Sequence, residues 1–179
     1  MPGLHEERFD CLSALVRAVP DFPIPGVTFR DLTGLMADAT ALQLSAAALA
    51  GPFRAGRVER VAGIEARGFV FGALVARELG VGFVPLRKPG KLPAAVESVS
   101  YALEYGTATL EVHRDALQPG MRVLLVDDVL ATGGTAGAAV DLLRRIGGEV
   151  TGAAFLMELP SLAGRARLAG VTVHSVLEA

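Results

Sequence analysis

The stretch VLLVDDVLATGGTA, Val123 to Ala136, decides how the chain reads. An aliphatic run ends in two adjacent carboxylates, Asp127 and Asp128, and a Thr/Gly-rich turn follows. A short apolar run reads as a strand buried on both faces, as in a parallel sheet. In open sheets of that kind, ligands sit beyond the carboxyl ends of the strands, where these acids stand.

The turn has the composition of an anion cup. Gly133 and Gly134 carry no Cβ, so backbone N–H groups can approach a phosphate. A helix beginning near Thr135 adds partial positive charge, and Thr132 and Thr135 offer hydroxyls. Two carboxylates beside a phosphate would repel it, unless the same ligand presents hydroxyl donors to them. A ribose 5-phosphate meets both demands, with its phosphate in the cup and its 2′ and 3′ hydroxyls on the acids. The G-x-x-x-x-G-K-[ST] and G-x-G-x-x-G fingerprints of other nucleotide sites are absent. The plain alternative is a solvated acidic strand end followed by an ordinary glycine turn.

Outward from this stretch, strands and helices alternate. RVAGI (60–64) reads as a buried strand, EARG as a loop, and FVFGALVAREL as a helix stopped by Gly80. GFVPLRK is another strand and leads into the basic, kinked KPGKLP. Partial period-2 alternation from Ser98 to His113 suggests a two-stranded arm turning at Gly106. A helix from about Thr135 stops at Gly147-Gly148. The strand candidates VTGAAFLMEL and VTVHSVL follow, separated by a short helix near Leu162 to Leu168. Upstream, Phe9, Leu12, Leu15, Val16 and Val19 fall at helical spacing before Pro20. DFPIPGVTFRD then reads as an extended, turning segment, and Asp38 as the cap of an Ala-rich helix. The pattern predicts an α/β fold: a mostly parallel twisted sheet flanked by helices.

The bulk composition narrows the function classes. The chain has 179 residues, 51% of them hydrophobic, which suits one domain with a sizeable core. A net charge of −2 gives no general pull toward nucleic acid or an anionic membrane. No apolar run approaches the ~20 residues of a membrane span, and the N-terminus has no apolar signal region. Cys11 is the single cysteine and reads as a small buried hydrophobe; His5, His113 and His174 have no metal-ligand spacing. These features suggest a soluble cytoplasmic protein with no nucleic-acid or membrane partner.

Four stretches together resemble a known family. VLLVDDVLATGGTA is similar to the phosphoribosyl diphosphate signature of type I phosphoribosyltransferases. DFPIPGVTFRDLT, GIEARGFVFG with LRKPGKLP, and SYALEYGTATLEVH narrow the resemblance to the adenine phosphoribosyltransferase family. It runs from about Asp21 to the C-terminus without an evident insertion.

The resemblance implies a single phosphoribosyltransferase domain over 1–179, with a hood at about 21–35 and a flexible loop at about 91–109. It implies transfer of a phosphoribosyl group from 5-phosphoribosyl 1-diphosphate to adenine, giving AMP and diphosphate. Ribose and phosphate would meet Asp127, Asp128, Ala131, Thr132, Gly133, Gly134 and Thr135. Diphosphate would meet Arg67, Arg87, Lys88 and Lys91, some of them across a homodimer, with Mg²⁺ bound mainly through the substrate. A cis bond between Glu65 and Ala66 is a further implication.

Phe29 would stack on the purine while backbone from Thr28 to Arg30 reads its edge. Arg67, Glu104 and Tyr105 are the expected catalytic residues, Glu104 as the proton-transfer candidate. Glu65 and Glu111 receive no role. Two other functions remain open at this point. One is transfer to xanthine or hypoxanthine; the other is a non-catalytic phosphoribosyl diphosphate-binding regulator.

Overall fold

Apolar patterning becomes a layered α/β structure in the computed structural model, which describes residues 10–102 and 106–179. The chain divides into two compact units, Met1–Ala46 and Ala47–Ala179. The first contains the expected hood.

In the first unit, strand β1 (Arg17–Val19) pairs antiparallel with β2 (Phe29–Asp31), Val19 opposite Phe29. The helix expected to continue through Val19 is helical only over 10–13, and Cys11, expected to be buried, lies exposed on it. Pro20 disfavours helical geometry at Val19, and β-branched valines suit the pleated pair better. Between the strands the chain closes on itself. The Phe22 amide donates to the Val27 carbonyl at 3.1 Å, and the Gly26 amide to Asp21 Oδ1 at 2.7 Å. Asp31 then accepts from the amide and hydroxyl of Thr33, at 2.9 and 2.7 Å. That residue opens the short helix α1 (Thr33–Ala37). Helix α2 (Ala39–Ala50) begins as expected at Asp38, whose Oδ1 accepts the Ala41 amide at 2.8 Å.

The second unit is built on a parallel sheet. Its strands are β3 (Arg60–Ile64), β4 (Gly82–Leu86), β7 (Arg122–Leu130), β8 (Glu149–Glu158) and β9 (Val173–Glu178). β5 (Val96–Ala102) and β6 (Thr107–His113) form a separate antiparallel ribbon, as the alternation around Gly106 predicted. The main sheet has the order β4-β3-β7-β8-β9. Val123 to Val126 are fully buried, as a central strand covered on both faces requires.

Helix α3 (Arg67–Leu79) covers one face through Phe71, Val75 and Ala76, and ends at Gly80 in the left-handed conformation. Helix α4 (Gly134–Arg145) covers the other with Ala139, Leu142 and Leu143. Val99, Leu110 and Val112 of the ribbon join that second core. The short helix expected near Leu162 to Leu168 is two tight 3₁₀ turns, Pro160–Leu162 and Gly164–Leu168.

The strand order reverses direction at one place. From β3 the chain goes to β4 on one side, then returns to place β7 on the other side of β3. Such a reversal splays the connections apart and opens a crevice above the carboxyl ends of the two strands. Ile64 ends β3, and Asp127 and Asp128 lie near the end of β7.

Candidate active site

Above this switch point lies a cleft of about 530 Å³. The loop from Ala131 to Thr135 forms one wall. Gly133 is the N-cap residue of α4, with φ 77°, a conformation that favours glycine. Its carbonyl accepts the Gly137 amide at 2.8 Å and closes the first helical turn. A Cβ at Gly133 would also collide with the Gly164 carbonyl. The loop is therefore held against its neighbours by backbone packing, with the positive end of α4 directed at the cleft rim.

Asp127 and Asp128 both line the cleft, but their surroundings differ. Asp128 is 6% exposed and ion-paired through Oδ2 to Nε of Arg67. Arg67 opens α3, so the first turn of that helix is tied to the end of β7. Asp127 Oδ1 accepts the Asp128 amide at 2.9 Å. A side chain at Gly68 would come within 2.6 Å of the same oxygen. Burial, then the neighbouring Asp128 carboxylate, pushes the Asp127 carboxyl well above the usual carboxylate range. A ligand that donates hydroxyls there would relieve an acid that the fold holds at a cost.

The basic turn after β4 reaches the same cleft as the loop Ala131 to Thr135. Lys88 lines the cleft. Arg87 donates to Glu65 at 3.3 and 3.4 Å, and its Nη1 donates to the Lys91 carbonyl at 2.9 Å. Arg87 and Lys91 are not among the residues lining the cleft in this conformation. Glu65, which received no role from sequence, organises the turn: its Oε2 also accepts the Lys88 amide at 2.9 Å. That backbone hydrogen bond, ahead of burial and the Arg87 contacts, leads the balance that holds the Glu65 carboxyl below its ordinary value. Glu111 supports the same turn by accepting the Gly90 amide at 3.0 Å and pairing through its backbone with Arg87. The Glu65–Ala66 peptide bond is cis, as the resemblance implies.

The structure thus brings Arg67, Lys88, Asp127, Asp128 and the loop Ala131 to Thr135 into one cleft. Tyr101, at the end of the ribbon, also lines it; the sequence signalled this residue only as part of a strand alternation. Glu104 and Tyr105 lie outside the described residues. Thr28, Phe29 and Arg30 belong to the first unit, where Phe29 and Arg30 sit on β2. There the Phe29 ring meets Phe22 edge to face, with centroids 5.2 Å apart.

Residues 42–173 match the phosphoribosyl transferase domain family. An adenine phosphoribosyltransferase of Methylococcus capsulatus is 58% identical over 168 residues, covering 94% of this chain and 98% of that protein. The chain belongs to the adenine phosphoribosyltransferase family. Solved structures agree with this family fold. The enzyme of Rhodothermus marinus superposes with a TM-score of 0.92 at 50% identity, over 97% of this chain and 99% of that one. The Saccharomyces cerevisiae enzyme, complexed with adenine and an imino-altritol bisphosphate, gives a TM-score of 0.90 at 34% identity. That match covers 96% of this chain and 99% of the yeast chain. The architecture is the type I phosphoribosyltransferase fold.

Proposed function

We infer that the chain transfers the 5-phosphoribosyl group of 5-phosphoribosyl 1-diphosphate to adenine, forming AMP and diphosphate. The observation that carries this reading is the switch-point cleft, which holds two acids, a phosphate loop and Arg67 in a chain of this family.

Each part of the donor has a complementary wall. The 5′-phosphate takes the backbone amides and hydroxyls of Ala131 to Thr135. Asp127 and Asp128 accept the ribose hydroxyls. As the C1′–O bond breaks, the electron pair leaves with the diphosphate and positive character grows on the ribose. Arg67 and Lys88 face the leaving group, while the acids lie on the side of the developing cation. Arg87 and Lys91 join them once the basic turn moves onto the diphosphate. Adenine N9 forms the new bond to C1′, and the adenine proton passes to Glu104. Tyr105 helps close the reacting centre, and Phe29 with backbone from Thr28 to Arg30 holds the base.

Among the described residues, no group of three or more His, Cys, Asp or Glu side chains could hold a metal. Asp127, Asp128 and Glu65 are carboxylates lining the cleft, and a magnesium ion carried by the substrate would need few of them as ligands. Bound to the diphosphate, magnesium would neutralise leaving-group charge. The enzyme acts as a cytoplasmic homodimer in purine salvage. No described helix is long and apolar enough to cross a membrane. Incubation with adenine and 5-phosphoribosyl 1-diphosphate should yield AMP and diphosphate in equal amounts. Absence of AMP from correctly folded protein with magnesium would overturn the reading.

A further inference from the structure

The phosphate loop rests on a turn held by an ion pair between a buried carboxylate and a half-exposed guanidinium. Glu158, near the end of β8, is 4% exposed. Its carboxylate accepts Nε of Arg165 at 2.8 and 2.9 Å and Nη2 at 2.6 Å. The Ser175 hydroxyl of β9 adds a bond at 2.7 Å, and Arg165 Nη1 reaches the Val173 carbonyl at 3.0 Å. One guanidinium thus locks β8 and β9 to the turn Gly164–Leu168.

That turn packs directly on the phosphate loop. A Cβ at Gly164 would collide with the Ala131 carbonyl and come within 3.0 Å of the Leu130 side chain. A Cβ at Gly133 would collide with the Gly164 carbonyl and lie 3.1 Å from the Arg167 Cβ. Backbone therefore meets backbone, and no residue of the turn lines the cleft.

We propose that Arg165 and Glu158 are positioning residues for the 5′-phosphate, setting the phosphate loop through the Gly164–Leu168 turn. The proposal rests on the phosphoribosyl reading of the cleft. Three physical points support it. An ion pair with one half-exposed partner contributes little to net stability, so its several directed hydrogen bonds act mainly on geometry. A forked arginine fixes angle as well as distance. Burial pushes the Glu158 carboxyl up, but the Arg165 and Ser175 hydrogen bonds outweigh it and keep the group ionised near neutrality.

The test measures binding of ribose 5-phosphate and, separately, of diphosphate by calorimetry, together with KM, kcat and Tm. Arg165→Ala should weaken ribose 5-phosphate on the order of tenfold, since small displacements of positioning groups have effects of this scale or larger. It should raise KM for 5-phosphoribosyl 1-diphosphate more than it lowers kcat, and leave diphosphate affinity unchanged. Arg165→Lys keeps the charge but loses the fork, so it should restore only part of the phosphate affinity. Arg54→Ala, which breaks the exposed Arg54–Glu78 pair, should change neither ligand. If Arg165→Ala does not fold, Ser175→Ala should show the same selective loss, smaller in size. Parallel losses for both ligands, or no loss for either, would overturn the clamp alone. Wild-type protein that binds neither ligand would overturn the functional reading and the clamp with it.

Discussion

Arg67 and Asp128, 61 residues apart in sequence, are ion-paired across the floor of the cleft. The pair joins the residue proposed for diphosphate with one proposed for ribose. On that proposal, donor binding would exchange this pair for two new ones, Arg67 with diphosphate and Asp128 with a ribose hydroxyl. Arg67→Ala removes a cation at the leaving group and a partner of a buried carboxylate. kcat/KM for the donor should fall on the order of a hundredfold, the usual effect of losing one preorganised donor to transition-state charge. Steady-state kinetics check this, and an unchanged kcat/KM would remove Arg67 from the leaving-group role.

Asp127→Asn should separate stability from function. The native carboxyl is raised above its ordinary value of 3.8, chiefly by burial. Between that value and its folded value, the native state binds the proton more readily than the unfolded chain does. Stability tied to Asp127 is thus present in acid and lost as pH rises through the folded value. Asparagine keeps the Oδ1 acceptor without the charge. The variant should melt a few degrees higher at neutral pH, the scale of roughly 1 kcal/mol in a chain of this size, with the gain shrinking in acid. Its turnover should fall, because ribose hydroxyls lose a charged acceptor worth roughly 1.5–3 kcal/mol. Melting curves across pH, read beside kinetics, check both halves.

The described residues of 91–102 and 106–109 should exchange more slowly when ligands bind. They run from the basic turn through β5 and into β6, a ribbon outside the main sheet. Closure would keep water from an activated C1′. Hydrogen exchange at amides of 91–102 and 106–109 should slow with donor and an adenine analogue bound. Equal exchange with and without ligands would count against closure.

Phe29→Ala should raise KM for adenine and leave the preference over hypoxanthine largely intact. Stacking tolerates ring substituents and is worth roughly 1–3 kcal/mol per base. Fixed backbone donors and acceptors from Thr28 to Arg30 cannot exchange roles and would carry the discrimination. Competition between the two purines measures this; loss of selectivity in the variant would assign the reading to the ring instead.

Much of the second unit was legible because its signals are local. RVAGI became β3 without change, Gly80 stops α3, and the acids and glycines after VLLV lie at the cleft. Contacts set by topology were not legible. Glu65 gains its role only when β3 and β4 bring it beside Lys88, and Arg165 finds Glu158 only through a 3₁₀ turn. In the first unit, helical spacing from Leu12 to Val19 concealed β1, because three strand residues show too short an alternation to compete. β2 was hidden behind two prolines that read as irregular chain.

The central claim is adenine transfer, and a purine panel tests it most directly. Diphosphate release would be followed with saturating donor and magnesium while adenine, hypoxanthine and xanthine are varied. Hypoxanthine reverses the donor–acceptor pattern at C6 and N1, leaving fixed polar groups mismatched. Two such mismatches give discrimination on the order of a hundredfold. The account predicts kcat/KM for adenine at least that far above the other purines. Comparable efficiency with hypoxanthine or xanthine would contradict it.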